Sequence, residues 1–187
     1  FWTLAQYQNV LQYINDTMAH TAIQILFYSG IRFGELLALH PADLDFNANT
    51  ISITKSMQRK GGKDIYTPPK TENGIRTVNM PTAIMEELKA YIGKIYGIQP
   101  HQRIFPFTKT FISNTIRRCS AAANEPYIRI HDLRHSHVSL LIELGFSPHL
   151  IADRIGDTVQ MVNNTYGHLY PNKQSEVSDR LNSILVS

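Results

Sequence analysis

Apolar residues recur every three or four positions along most of the chain, and this period predicts α-helices. Thr3 and Gln6 have the spacing of a capping box, which places the first helix at about residues 3 to 14. A second helix follows Asp16 and stops at Gly30, because glycine commonly ends helices. Further helices are predicted at Glu35 to Leu39, after Pro81, at about 109 to 123, at His131 to Leu144, from Ser147 through Ile155, before Tyr166, and along the stripe of Val177, Leu181, Ile184 and Leu185.

Between residues 50 and 80 the apolar period changes to two, which predicts β-strands. Ile51 and Ile53 alternate with polar residues, Ile65 to Thr67 follows a Gly61-Gly62 turn, and Ile75 to Val78 follows Gly74. These segments predict three short antiparallel strands. We therefore expect a mostly α fold with a small three-stranded antiparallel sheet, forming one domain over residues 1–187.

The composition agrees with one globular core and indicates the kind of cellular compartment. The 187 residues are 43% hydrophobic, and no apolar run approaches the ~20 residues that a membrane span needs. Cys119 is the only cysteine, which excludes a disulfide framework or a cysteine zinc cluster and favours a reducing compartment, taken here as the cytoplasm. Because the chain opens at Phe1, we expect a fragment of a longer protein.

Basic residues cluster in two stretches, although the net charge is only +3. The first contains Lys55, Arg59, Lys60, Lys63, Lys70 and Arg76, and the second contains Arg103, Lys109, Arg117, Arg118, Arg129 and Arg134. Such patches bind polyanions through counterion release, and they are equally typical of solvated hairpin and helix surfaces. If these patches bind DNA, the predicted contacts are Arg59, Lys60, Arg76, Arg117 and Arg118.

Two short motifs place arginines where an anion could bind. Arg32 follows the helix stop at Gly30, and Glu35 one turn later can hold its guanidinium group. His131 and Arg134 have i, i+3 spacing near a helix N-terminus, where anions are stabilised. Each motif alone is also consistent with an ordinary surface arginine or a capped helix start.

The histidines of the same helix suggest a metal site as an alternative. His131 and His135 have the i, i+4 spacing of a zincin helix, and His137 lies nearby. The general-base glutamate and the third carboxylate ligand of such a site are missing. We therefore predict no metal.

In their order along the chain, these motifs resemble the catalytic domain of the tyrosine recombinases, the family of phage and transposon integrases. Arg32 to Leu36 resembles the family's Arg-x-Gly-Glu-Leu pattern, and Lys70 matches its sheet lysine. His131 and Arg134 match its His-x-x-Arg pair, and Tyr166 in Asn-Thr-Tyr-Gly-His-Leu matches its nucleophile. The resemblance covers nearly the whole chain.

The resemblance implies site-specific DNA recombination through a covalent 3′-phosphotyrosine. Tyr166 would be the nucleophile, Arg32 and Arg134 would bind the phosphate, His131 would assist proton transfer, and Lys70 would be the general acid for the departing oxygen. No cofactor or metal is implied. Type IB topoisomerases, which relax DNA, share these residues and remain an alternative, as does a DNA-binding module whose site has decayed.

The resemblance also implies double-stranded attachment sites as substrates and a homotetramer on DNA. In such an assembly the apolar stripe of the last helix, from Val177 to Leu185, would dock on a neighbouring protomer. Docking onto its own domain explains the stripe equally well.

One position departs from the family pattern. The family usually has His or Trp after a Leu-Gly pair upstream of the tyrosine, whereas Ile155-Gly156 is followed here by Asp157. A carboxylate is a poor ligand for a phosphate, because like charges repel. We therefore predict that Asp157 is a supporting residue, the N-cap of the helix leading to Tyr166, with Gln160 as its capping-box partner.

Overall fold

The computed structural model describes residues 1–69, 74–170 and 174–185, and helices make up most of this part of the chain. The helices are α1 (Leu4–Leu11), α2 (Thr17–Ser29), α3 (Phe33–Leu37), α4 (Thr82–Gly93), α5 (Lys109–Ala122), α6 (Asp132–Glu143), α7 (Pro148–Ile155), α8 (Val159–Tyr166) and α9 (Gln174–Leu185). The predicted helical fold is confirmed.

Local capping fixes most of the helix ends. Thr3 and Gln6 form the expected capping box, and Gly30 ends α2 in the left-handed conformation with φ of 67°. Helix α3 starts at Phe33, two residues before the predicted start, because the Glu35 carboxylate accepts the backbone N–H of Arg32 at 2.8 Å. This bond begins the helix immediately after Arg32.

The strands form two sheets instead of one. Strands β1 (Leu44–Asp45), β2 (Thr50–Ile53) and β5 (Arg76–Asn79) make a three-stranded antiparallel sheet with β2 in the centre, where Ile51 pairs with Leu44 and Val78. Among the described residues, strands β3 (Ser56–Lys60) and β4 (Lys63–Thr67) pair only with each other.

The prediction that Ile65 to Thr67 forms a strand of the three-stranded sheet was therefore wrong. The turn at Gly61 and Gly62, with φ of 59° and 78°, folds β4 back onto β3, and β4 is exposed along its whole length. Its place in the sheet is taken by β1, which is too short to show a period of two in the sequence.

Two apolar clusters form the core and fix the later helices. The larger one surrounds α2, where Phe27 stacks on Tyr7 with ring centroids 3.6 Å apart. The smaller one joins α6, α7 and α8 through Val138, Ile151 and Val162, and it includes Tyr166. Because Tyr166 packs in a core cluster, its phenol has a defined position.

The outer surface includes an amphipathic helix, α9. On α9, Val177, Leu181, Ile184 and Leu185 are 50% to 83% exposed. Among the described residues, no helix has both the length and the apolar character that crossing a membrane requires.

Candidate active site

Three chain segments bring charged side chains together at one point. Arg32 lies between α2 and α3, Arg134 lies in the first turn of α6, and Asp157 lies between α7 and α8. The two guanidinium groups share one carboxylate oxygen, since Asp157 Oδ2 accepts from Arg32 Nη2 at 3.2 Å and from Arg134 Nη2 at 3.1 Å.

Arg134 is buried and held by the backbone. Its Nη1 donates to the carbonyl oxygens of Gly30 and Ile155, each at 2.7 Å, and its side chain is 5% exposed. Burial, together with the neighbouring charge of Arg32, lowers the pKa of Arg134 to about 10, so the group is still cationic at neutral pH. Its position is therefore fixed before any anion binds.

Arg32 is more exposed and is held by Glu35. Its Nη1 donates to Glu35 Oε1 at 3.3 Å, and its side chain is 42% exposed. Burial alone would raise the pKa of the Glu35 carboxyl, but the hydrogen bonds and charges of Arg76 and Arg32 hold it below its usual value. Glu35 is therefore ionised and supports Arg32, as the motif predicted.

Asp157 does not cap α8, so that prediction was wrong. The N-cap is Thr158, whose hydroxyl accepts the backbone N–H of Met161 at 3.1 Å. Asp157 is instead drawn to the two arginines, while its Oδ1 accepts the N–H of Thr158 at 3.1 Å. The sequence could not show this, because the arginines come from distant segments of the chain.

Tyr166 meets a histidine that the sequence analysis did not assign to the site. Its hydroxyl lies 2.5 Å from Nδ1 of His135, and the ring of His131 packs edge-on against His135 with centroids 5.0 Å apart. Burial raises the pKa of Tyr166 and lowers the pKa of His135, so the pair is a neutral phenol and a neutral imidazole. In the tautomer that carries its proton on Nε2, Nδ1 of His135 accepts from the phenol hydroxyl. This arrangement can receive the phenol proton.

The sequence signal for His135 is its i, i+4 spacing from His131. The i, i+4 spacing of His131 and His135, which metal ligands also have, brings their two rings edge to face, and the ring of His135 packs against that of Tyr166. His137 points to the other side, where its Nε2 accepts from Arg154 at 3.1 Å; burial and that charge lower the pKa of His137 to about 3. His137 is a neutral core residue.

Lys70, the predicted sheet lysine, lies outside the described residues. The residues on either side of that gap, Pro69 and Gly74, line a cavity of about 470 Å³ that Arg32 and Asp157 also line.

The predicted DNA contacts fall into three groups. Arg59 and Lys60 are exposed on the β3–β4 hairpin, and Arg59 lines a cleft of about 700 Å³ together with Arg32 and His131. Arg117 and Arg118 are exposed on α5 and lie outside the lining of that cleft.

Arg76 does not fit the predicted contact with DNA. Its side chain is 7% exposed, and its Nη2 donates to Glu35 Oε2 at 2.9 Å. Its Nε also donates to the carbonyl of Arg154 at 2.9 Å. Arg76 neutralises the buried carboxylate behind Arg32 instead of facing a solvent-borne phosphate.

Known sequences are similar to this chain over most of its length. The profile of the phage integrase family matches residues 1–173. The ICEBs1 integrase of Bacillus subtilis is 31% identical over 201 residues, covering 99% of this chain and 55% of that protein. A tyrosine recombinase XerC-like protein of Caldanaerobacter subterraneus is 26% identical, covering 87% of this chain and 48% of its own. The chain spans about half the length of these curated relatives.

Solved structures agree on the fold. The Tn1549 transposon integrase in complex with transposon right end DNA has a TM-score of 0.78 at 21% identity, covering 99% of this chain and 65% of that one. The catalytic domain of bacteriophage HP1 integrase has a TM-score of 0.66 at 18% identity, covering 97% and 94%. With the profile matching nearly its full length and a curated integrase 31% identical to it, the chain belongs to the phage integrase family, the tyrosine recombinases.

Proposed function

We propose that residues 1–187 act as one catalytic domain that cuts and rejoins DNA at specific sites. The observation that carries this proposal is the contact of Tyr166 with His135, in a protein whose Arg32 and Arg134 converge on one anion. Phosphoryl transfer through a tyrosine requires a nucleophile, a proton acceptor and donors that bind the anion. We call the two donors, Arg32 and Arg134, the anion clamp.

The proposed reaction balances without ATP or a metal ion. Tyr166 Oη attacks the scissile phosphorus, forming a 3′-phosphotyrosine while the bond from phosphorus to the 5′ oxygen breaks. The phenol proton leaves Tyr166, and one proton is delivered to the departing 5′ oxygen. Attack of a 5′-hydroxyl on the phosphotyrosine reverses these steps, so the bond energy is conserved until a DNA end is joined.

The arginines supply most of the rate enhancement in this mechanism. Negative charge grows on the non-bridging phosphate oxygens as Tyr166 attacks. Arg32 and Arg134, which share one anion oxygen in the structure, would donate hydrogen bonds to those oxygens. Because Arg134 is anchored by two carbonyl groups, it does not have to reorganise during the reaction.

His135 accepts the phenol proton in this proposal. A free tyrosine has a pKa near ~10, and burial raises that of Tyr166 further, so the reaction starts from the neutral phenol. The Nδ1 of His135 is within hydrogen-bond distance of it, whereas the exposed ring of His131 faces the cleft and is suited to the phosphate. Lys70 remains the proposed general acid on the basis of the family resemblance.

The DNA duplex is proposed to lie over the cleft beside Arg59. Exposed arginine and lysine on the β3–β4 hairpin provide phosphate contacts that are independent of sequence. The structure of the Tn1549 transposon integrase contains transposon right end DNA, and DNA binding by the present chain is part of the proposal. We place the reaction in the bacterial cytoplasm, where such DNA is found.

A nicked duplex library with a randomised centre tests the proposal. Cleavage next to the nick releases a short strand, so the covalent complex cannot be resealed and survives denaturing detergent. We expect wild-type protein to form this complex, and the sequences recovered from it to share one attachment motif. Absence of any covalent complex over the whole library would refute strand cleavage and favour the decayed DNA-binding module.

The pH dependence of this cleavage tests His135. Burial lowers the pKa of His135 below its ordinary value of 6.5, so the imidazole is neutral at pH 7 and becomes protonated as pH falls through that lowered pKa. A protonated ring cannot accept from Tyr166. We expect wild type to cleave faster than His135→Asn at pH 7. The ratio of the two cleavage rates is expected to fall towards one in acid.

His149→Asn is the matched control for that measurement, because His149 is exposed on α7. Its rate ratio to wild type is expected to stay near one at every pH. A His135→Asn ratio that does not change with pH would show that the histidine only packs against Tyr166.

The assembly on DNA is proposed to be a homotetramer joined through α9. The exposed apolar stripe of Val177 and Leu181 supports docking on a second copy of the chain, because exposed apolar faces mark interaction surfaces. We expect truncation before Asn172 to reduce synapsis of two sites by at least about tenfold, with single-site cleavage less affected. Unchanged synapsis, measured by native gel with two labelled duplexes, would leave the stripe without this role.

The comparisons do not favour the topoisomerase alternative. The curated relatives are integrases and tyrosine recombinases. If the protein relaxes a supercoiled plasmid that lacks the recovered attachment motif, that result would favour the topoisomerase alternative.

A further inference from the structure

We propose that the Asp157 carboxylate is a positioning residue that occupies the phosphate site between Arg32 and Arg134 while no DNA is bound, and that the scissile phosphate displaces it. The inference rests on the proposed strand cleavage. It gives a role to the one position that departs from the family pattern.

The geometry of the carboxylate is that of a bound anion. A single oxygen, Oδ2, accepts from Arg32 Nη2 at 3.2 Å and from Arg134 Nη2 at 3.1 Å. One non-bridging phosphate oxygen shared by two guanidinium groups would make the same pair of charge-assisted hydrogen bonds. Carboxylate and phosphate therefore compete for the same donors.

The site needs an anion in order to hold two cations together. Arg76 also lies at this site, but its charge is matched by the buried carboxylate of Glu35, which also contacts Arg32. Arg134 has its contacts to carbonyl oxygens, and its only described ion pair is the one to Asp157. Without Asp157, the cations outnumber the carboxylates here by two.

The contact is also built so that it can be released. Asp157 is 24% exposed and lies in the short connection after Gly156, whereas Arg134 stays anchored to Gly30 and Ile155 by its Nη1. Rotation of one side chain therefore frees the clamp without moving a helix. A phosphate that entered with the carboxylate still in place would face a like charge, so the two anions exclude each other.

Thermal melting in sulfate tests this without any DNA. At equal ionic strength, sodium sulfate stabilises every variant somewhat more than sodium chloride, because sulfate is excluded from protein surfaces. We expect Asp157→Asn to melt lower than wild type in chloride and to regain the difference in sulfate, since sulfate fills the vacated clamp. Asp157→Glu, which keeps the charge, is expected to behave like wild type.

Asp153→Asn is the matched control. It removes the same charge from an exposed position one turn earlier, on α7. The quantity compared is the rise in melting temperature when chloride is replaced by sulfate. If this rise is the same for Asp157→Asn and Asp153→Asn, the carboxylate of Asp157 does not occupy an anion site and the proposal fails.

Cleavage of the nicked duplex supplies the second readout. We expect Asp157→Asn to reach half-maximal cleavage at a DNA concentration about twofold to fivefold lower than wild type, the effect expected from the loss of a partly exposed ion pair. A large loss of the saturating rate in a folded variant would place the carboxylate in the chemical step and overturn the proposal. If wild type forms no covalent complex, strand cleavage is what fails, and the sulfate melting still decides the role of Asp157.

Discussion

Tyr166→Phe is expected to bind DNA as wild type does and to form no covalent complex. The hydroxyl is the attacking group in the proposed reaction, and phenylalanine offers no oxygen to phosphorus. The ring itself packs in the α6–α8 cluster and is 7% exposed, so the phenyl group keeps the fold while the contact with His135 is lost. The measurement is the covalent yield on the nicked duplex, together with affinity in a gel shift.

Tyr170→Phe is the control for that result, because Tyr170 packs against the same cluster four residues later. Its covalent yield is expected to equal that of wild type. A covalent complex from Tyr166→Phe would assign the nucleophile to another side chain.

Arg32→Ala is expected to lower the cleavage rate by ~10² to 10³, the usual loss for one preorganised donor to a developing anion. Arg32 is the better of the two arginines to replace, because its side chain is 42% exposed. Arg134→Ala would leave the carbonyl groups of Gly30 and Ile155 without their donor, at about 1–3 kcal/mol each, and would confuse stability with chemistry.

Arg59→Ala separates binding from catalysis in the same assay. Arg59 is exposed on the β3–β4 hairpin, so its loss is expected to weaken binding to all sequences and to reduce the salt slope by about 0.9 per phosphate contact. The saturating cleavage rate of this variant is expected to stay near that of wild type. If Arg32→Ala and Arg59→Ala differ from wild type only in affinity, the clamp does not act in the chemical step.

Local signals in the sequence were sufficient to predict most helices. The capping box at Thr3, the helix stop at Gly30 and the Ser147-Pro148 start are formed by neighbours in the chain, so the structure reproduces them. The end of α1 was predicted three residues too late, because Ile14 is buried without being helical. Apolar periodicity reports burial, and burial continues past a helix end.

The charged site could be predicted only in part, for a different reason. Arg32 and Glu35 meet within one turn, and their spacing therefore indicated the contact. The partners of Asp157 lie 125 and 23 positions away in the chain, and no spacing rule reaches that far. The local alternative, a helix cap, was the only one available to sequence reasoning, and Thr158 was the better cap.

The two hydrogen bonds of Arg134 Nη1 have a consequence for how the chain folds. They join the carbonyl group at the end of α2, in the larger cluster, to the carbonyl group at the end of α7, in the smaller one. The guanidinium group of Arg134 thus also connects the two core clusters of the fold. A newly made chain whose carboxy-terminal helices have not yet docked lacks both of these hydrogen bonds and the contact with Asp157, so the anion site is complete only once both clusters have folded.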